Sequence, residues 1–137
     1  MATAADELAR VPLFAELSGR QRRKLAASSR ERVFKPGTDV VRQGAMSGIG
    51  FFVVTGGEAA VSVDGAEVAT LATGDHFGEL ALVNQAERTA TVTARTELRC
   101  LEIPFPEFRK FAQANPDVTW KLLQHVVATL QRERRSG

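Results

Sequence analysis

The run GDHFGELALVNQAERTATV, at positions 74–92, gathers the side chains of this chain best able to do chemistry. Gly78-Glu79-Leu80-Ala81-Leu82 is short, helix-favouring and led by glycine. A helix N-terminus whose amides are free, with no Cβ in the way, receives an anion, because several N–H groups point outward and the dipole favours negative charge. A phosphate suits such a place. Arg88, at the start of the next strand, can meet a phosphate's oxygens from the other side with its planar fork, and Thr89 adds a hydroxyl donor beside it. Glu79 discriminates, because a carboxylate beside an anion site repels the ligand unless it accepts hydrogen bonds from something. A sugar hydroxyl is such a donor. The chemistry therefore asks for a ligand with one phosphate and one sugar hydroxyl close together and sheltered from water. A structural ion pair between Glu79 and Arg88 satisfies the same residues.

Catalytic alternatives lack their parts. A metal-dependent β-barrel enzyme needs clustered imidazole and carboxylate ligands, and the chain has two histidines, His76 beside this run and His125 far down the sequence. No Gly-x-Ser-x-Gly nucleophile, Cys-His pair or phosphate-loop lysine is present. The expectation is a binding domain with neither enzymatic activity nor metal. His76 reads as a partly exposed turn residue.

With 44% hydrophobic and 25% charged residues over 137 positions, the chain reads as one ordinary globular domain with a proper core. Its longest apolar runs fall far short of a membrane span. Asp6 and Glu7 stand where a signal peptide would place positive charge, so the expectation is a cytoplasmic location without membrane attachment. The single cysteine, Cys100, reads as a buried structural thiol. Net charge is +2, with basic clumps at RQRRK (20–24) and RERR (132–135). No aromatic side chain interleaves with either clump and no helix-turn-helix accompanies them, so they read as solvated faces and not as a nucleic-acid surface.

The elements that must position the run follow from local signals. Ser18-Gly19-Arg20-Gln21 fits a capping box and predicts a short helix fading by Ser29. Residues 32–35 and 39–43 read as strands around a Pro36-Gly37 turn, and 51–54 as a strand covered on both faces. Asp64-Gly65, between 61–63 and 66–71, predicts a hairpin with a type I′ turn. Residues 89–94 and 97–103 are two further strands, and the short spacing predicts an antiparallel β barrel or jelly roll. Phe105, Phe108 and Phe111 then recur at helical spacing after Pro104. Asn115 offers an N-cap and Pro116 a first position for a last helix, along which Trp120, Leu123, Val127 and Leu130 form a stripe widened by Leu122 and Val126. That face predicts packing on the barrel, pairing with a second copy of the chain, or both in turn.

The segment FGELALVNQAERTATV (77–92) resembles the phosphate-binding cassette of cyclic nucleotide-binding domains, the module of protein kinase A regulatory subunits, cyclic-nucleotide-gated channels and bacterial catabolite activator proteins. The match runs G-E-L-A-L, five residues, then R-[ST]-A-x-V. PLFAELS (12–18), FKPGTDVVRQG (34–44), the hairpin and the Asn115-Pro116 junction follow in the family's order, so the resemblance spans about 11–117. It implies a mainly β α+β fold: an antiparallel jelly-roll barrel with a short phosphate-binding helix, flanked by N-terminal helices and a C-terminal helix. The expected organisation is a helical segment over 1–30, the barrel with its cassette over 31–104, and hinge, lid and dimer helices over 105–137.

The resemblance further implies that Glu79 accepts from the ribose 2′-hydroxyl and that Arg88 pairs with the cyclic phosphate. Backbone amides around Gly78, Leu80 and Ala81 then donate to that phosphate with Thr89 in support, and Phe77 and Ala90 complete the ligand-binding set. Thr89 permits cGMP without demanding it, and cAMP is the preferred ligand. The loop at 45–50 departs from the family by lacking the acidic residue usual near Gly48. A base left half in water forfeits apolar burial, so a lid is expected, with Trp120, Leu123 and Gln124 as candidates. The implied protein is a cytoplasmic regulatory sensor, signalling through the C-terminal helix and pairing through it as a homodimer, to an effector that no motif names. The alternative is a nucleotide-independent interaction module of the same fold.

Overall fold

The computed structural model describes residues 3–11, 14, 17–44, 50–78 and 90–136. The notable loop at 45–49, the cassette residues 79–89 and the side chains of Leu122, His125, Val126 and Leu130 lie outside the described set. In chain order the elements are α1 (Ala4–Ala9), α2 (Gly19–Ala27), β1 (Arg30–Phe34), β2 (Asp39–Val41), β3 (Gly50–Gly56), β4 (Ala59–Val63), β5 (Ala66–Leu71), β6 (His76–Phe77), β7 (Thr91–Ala94), β8 (Leu98–Pro104), α3 (Phe105–Ala114) and α4 (Pro116–Ser136).

The strands build two four-stranded antiparallel sheets, ordered β1-β8-β3-β6 and β2-β7-β4-β5. Among the described residues these are open sheets and not one closed barrel, which corrects the expectation of closure. Local strand and turn signals mark where strands begin and end, whereas closure depends on which edges meet.

Strand β3 divides the core. Its Phe52 and Val54 join Phe77, Leu98 and Cys100 of the same sheet and Ala59, Val92 and Ala94 of the other, forming the cluster between the sheets. Phe51 and Val53 point the opposite way, onto Leu8, Phe14, Leu25, Phe108, Phe111 and Val118 of the helical layer. Alternate side chains of a strand face opposite sides, so a strand covered on both must be apolar throughout. All four side chains are buried, as the continuous run predicts. On the helical side Phe51 meets Phe14 edge-on at 5.9 Å between ring centroids and Phe108 at 5.8 Å.

The first two helices are fixed by side-chain caps. In α2 the Ser18 hydroxyl accepts from the Gln21 N–H at 3.1 Å while Gln21 Oε1 accepts from the Ser18 N–H at 2.9 Å, the predicted capping box. Arg22, within the first basic clump, donates to the Leu17 carbonyl, and Arg20, Arg23 and Lys24 face solvent. Between α1 and α2, hydrogen bonds in steps of three link Leu8, Val11, Phe14 and Leu17, which brings these four buried side chains onto one side. Phe108 and Phe111 bury the expected face of α3, and Pro116 opens α4. The side chain of Asn115, expected as the cap of α4, makes tertiary contacts: its Oδ1 accepts from Gln21 Nε2 at 2.6 Å and its Nδ2 donates to the Phe111 carbonyl at 2.8 Å. The elbow between α3 and α4 is thereby tied to α2.

Among the described residues Glu102 is the fully buried charged side chain. It sits on β8, opposite Arg30 of β1, and takes hydrogen bonds from Arg30 and, at 2.9 Å, from Arg32. Both arginines keep part of their surface in water, so the pair is asymmetric: the carboxylate depends on them more than they depend on it. Removing both partners would leave a buried, uncompensated charge, a situation that costs about 3–5 kcal/mol. The double substitution Arg30→Met and Arg32→Met is expected to destabilise the fold by that order in urea unfolding, and Glu102→Met by less than half as much. Equal losses would contradict the asymmetry.

Cys100 is buried, and burial pushes its thiol up to about 12, with Arg32 opposing weakly. The unfolded chain therefore loses this proton first. The group leaves stability intact below about pH 9 and lowers it as the pH rises from there toward 12. At pH 8 the native thiol is expected to react with a maleimide only as fast as the chain unfolds. Rapid labelling in native buffer would show the thiol to be accessible.

Candidate functional site

The frame of the cassette is built from the ends of two strands. On one side, β6 is a two-residue strand in which Phe77 pairs with Phe52 and His76 with Val53 of β3. Phe77 is 7% exposed and stacks on Phe52, with centroids 4.9 Å apart and rings within 8° of parallel. The side chain of Phe77, expected among the ligand-binding residues, is packed in the inter-sheet core. His76 points to the helical side, its ring 5.2 Å from Phe51. It is a strand residue and not the turn residue expected, because its pairing partner β3 lies far away in sequence. Gly78 follows with φ of 90°, a left-handed conformation in which the chain leaves the sheet and which glycine adopts without a Cβ penalty.

On the other side the chain returns at Ala90 and enters β7. Thr91 pairs with Ser62 and Val92 with Val61 of β4, and Val92 is buried in the same cluster as Phe77. Both ends of the segment are thus rooted in one core. Glu79, Leu80, Ala81, Arg88 and Thr89 themselves lie outside the described residues.

The three lid candidates stand on α4. Trp120 is 62% and Leu123 51% exposed, Gln124 is exposed, and Val127, next along the stripe, is 45% exposed. Of the expected fates of this face, packing on the sheets is not what these side chains do. The helix is instead anchored by Val118 in the helical-side cluster. Among the described residues no helix is long and apolar enough to cross a membrane.

Sequence reasoning missed the Glu102–Arg30–Arg32 cluster and the hydrogen bonds that join Gln43 to Asp64 and Thr91. The first left a weak signal, a lone glutamate inside Cys100-Leu101-Glu102-Ile103 and two arginines alternating on β1.

The family model of the cyclic nucleotide-binding domain matches residues 31–115, more than half of the chain. The chain belongs to the cyclic nucleotide-binding domain family. It is 45% identical over 94 residues, 67% of its own length, to a cAMP-dependent protein kinase regulatory subunit of Yarrowia lipolytica, and spans 25% of that protein's length. Among solved structures, the N-terminal domain of a transcriptional regulator from Streptomyces coelicolor A3(2) superposes with a TM-score of 0.75 at 32% identity, covering 96% of this chain and 94% of that one. The regulatory domain of Toxoplasma gondii protein kinase A, crystallised with cAMP, superposes with a TM-score of 0.76 at 29% identity, covering 89% of this chain and 49% of that one. Within this cyclic nucleotide-binding domain, the matched span contains the cassette run and both strands that hold its ends.

Proposed function

We propose that this chain is a regulatory cyclic nucleotide sensor, with cAMP preferred and cGMP the second candidate because of the Thr89 hydroxyl. The observation that carries the reading is the G-E-L-A-L and R-T-A motif, set between β6 and β7 with both flanks rooted in one core. Glu79 takes the ribose 2′-hydroxyl and Arg88 the cyclic phosphate. Amides around Gly78, Leu80 and Ala81 complete the phosphate's hydrogen bonds with Thr89 in support, and Ala90 closes the set. Nothing in these roles is catalytic. The strand order, two facing four-stranded sheets, supports the jelly-roll form of the fold.

In this reading the exposed stripe of α4 supplies the cover for the base, with Trp120 and Leu123 as its apolar surface and Gln124 at the base edge. Ligand moves α4 only as far as its differential affinity for two positions of that helix allows. Covering part of a tryptophan side chain contributes about 1 kcal/mol, so Trp120→Ala is expected to weaken nucleotide affinity roughly fivefold with little change in melting temperature. Unchanged affinity would remove Trp120 from the lid.

The test is a calorimetric titration of the purified chain with cAMP and, in parallel, cGMP. Saturable heat at micromolar affinity, about −8 kcal/mol or better, supports the sensor and ranks the two bases. No heat with either, up to millimolar ligand and at two temperatures, refutes it and favours the nucleotide-independent module, whose homodimer through the α4 stripe light scattering would then detect.

A further inference from the structure

Gln43 lies just beyond β2, where three loops meet. Its side chain forms a reciprocal pair with Asp64: Gln43 Nε2 donates to Asp64 Oδ1 at 2.9 Å, and the Asp64 N–H donates to Gln43 Oε1 at 2.8 Å. Its own backbone N–H donates to Thr91 Oγ1 at 2.9 Å. Asp64 is the residue of positive φ, 53°, that opens the β4–β5 turn, and Thr91 is the first residue of β7 after the cassette segment. The ladder between β2 and β7 ends at the pair Val41–Val92, so on the β2 side Thr91 is held by Gln43 where strand pairing stops.

We infer that Gln43 is a positioning residue for the nucleotide site. It clamps the hairpin turn to Thr91 and so fixes where the chain emerges three residues after Arg88; the inference rests on the sensor reading for its ligand. All three hydrogen bonds are exposed. Exposed bonds contribute little to global stability but restrict where a loop end can go, which separates this role from that of a core residue. The two side-chain bonds act together, since the primary amide of Gln43 presents one donor and one acceptor to the matching pair on Asp64.

The test uses the full chain with cAMP as probe and four variants. Gln43→Ala and Asp64→Gly, the latter keeping the left-handed turn, are each expected to weaken cAMP binding roughly three- to tenfold while melting stays within about 2 °C of the parent chain. Asp64→Asn keeps the Oδ1 acceptor and should bind almost as the parent does. The double variant Gln43→Ala and Asp64→Gly should lose no more than Gln43→Ala alone, because Gln43→Ala already removes both bonds while Asp64→Gly removes the one to Oδ1 and keeps the backbone N–H donor. Hydrogen exchange of the ligand-free chain provides a second readout, with faster exchange expected at Thr91 and Val92 in Gln43→Ala and no change in β3 or β8. Parental affinity and parental exchange in Gln43→Ala would overturn the inference, as would a fall in melting temperature with affinity unchanged. If the parent chain binds no cAMP the sensor reading fails, and exchange at Thr91 alone decides whether Gln43 holds the loop.

Discussion

Replacing Arg88 by leucine is expected to weaken cAMP binding by roughly 30-fold to several thousand-fold while leaving the ligand-free chain as stable as before. A guanidinium facing a phosphate makes two parallel charge-assisted hydrogen bonds, and truncating one partner of such a sheltered pair costs about 2–5 kcal/mol, much of it from the charge left alone. At 1.4 kcal/mol per factor of ten this corresponds to roughly 30-fold to several thousand-fold. Lysine keeps the charge and loses the fork, so Arg88→Lys should fall between the parent and leucine, about tenfold weaker. The alternative for the same residues, a purely structural Glu79–Arg88 ion pair, makes the opposite prediction. Under it, Arg88→Leu and Glu79→Leu destabilise the ligand-free chain, and each does so less in the background of the other. Calorimetric affinity and urea unfolding without ligand, measured on the same protein samples, separate the two. An affinity within threefold of the parent would sink the phosphate role.

Among the single substitutions considered, the largest stability loss is expected at Gly57. It turns the chain between β3 and β4 at φ of 84°, and a Cβ built there would overlap the Glu97 carbonyl oxygen and stand 2.8 Å from Thr96 Oγ1. The collision is with backbone, so no side chain can swing away. The turn is also locked to the β7–β8 turn: the Glu58 N–H donates to Thr96 Oγ1 at 3.0 Å and the Arg95 N–H donates to the Glu58 carbonyl at 3.0 Å. Alanine therefore bears the left-handed penalty of about 1–2 kcal/mol and must also push two interlocked turns apart, which weakens hydrogen bonds worth about 1 kcal/mol each. The expected total is about 3–5 kcal/mol, a large fraction of the 5–15 kcal/mol typical of a domain. Gly37 is the internal control, with φ of 87° and nothing within 4 Å of its built Cβ, so Gly37→Ala should cost about 1 kcal/mol. Denaturant midpoints at constant slope provide both values. A Gly57→Ala chain no weaker than Gly37→Ala would show that the two turns separate freely.

What the sequence by itself determined is what short stretches determine. The Asp64-Gly65 hairpin forms because both residues adopt positive φ, 53° and 82°, as the type I′ turn requires. The Ser18–Gln21 capping box closes between residues three apart, and four consecutive apolar residues of β3 announce burial on both faces. The first capping box, Thr3 with Asp6 at the head of α1, escaped because its reciprocal residue is an aspartate, where the familiar pattern has glutamate or glutamine. The family was legible for the same reason as the hairpin: the motif consists of residue types at fixed spacing within one run.

Only the tertiary structure decided the features that join distant segments. Strand β6 exists as two residues because β3 pairs with it, and no two-residue periodicity could have announced it. Glu102 is buried because Arg30 and Arg32, 72 and 70 positions earlier, reach it across the β1–β8 ladder. Gly57 matters through Glu97, and Gln43 through Asp64 and Thr91. The open sheets and the exposure of Trp120, Leu123 and Val127 on α4 belong to the same class. Backbone preferences and caps act over a few residues and are written locally, whereas edge pairing, close backbone approach and the burial of a charge depend on which segments the fold brings together.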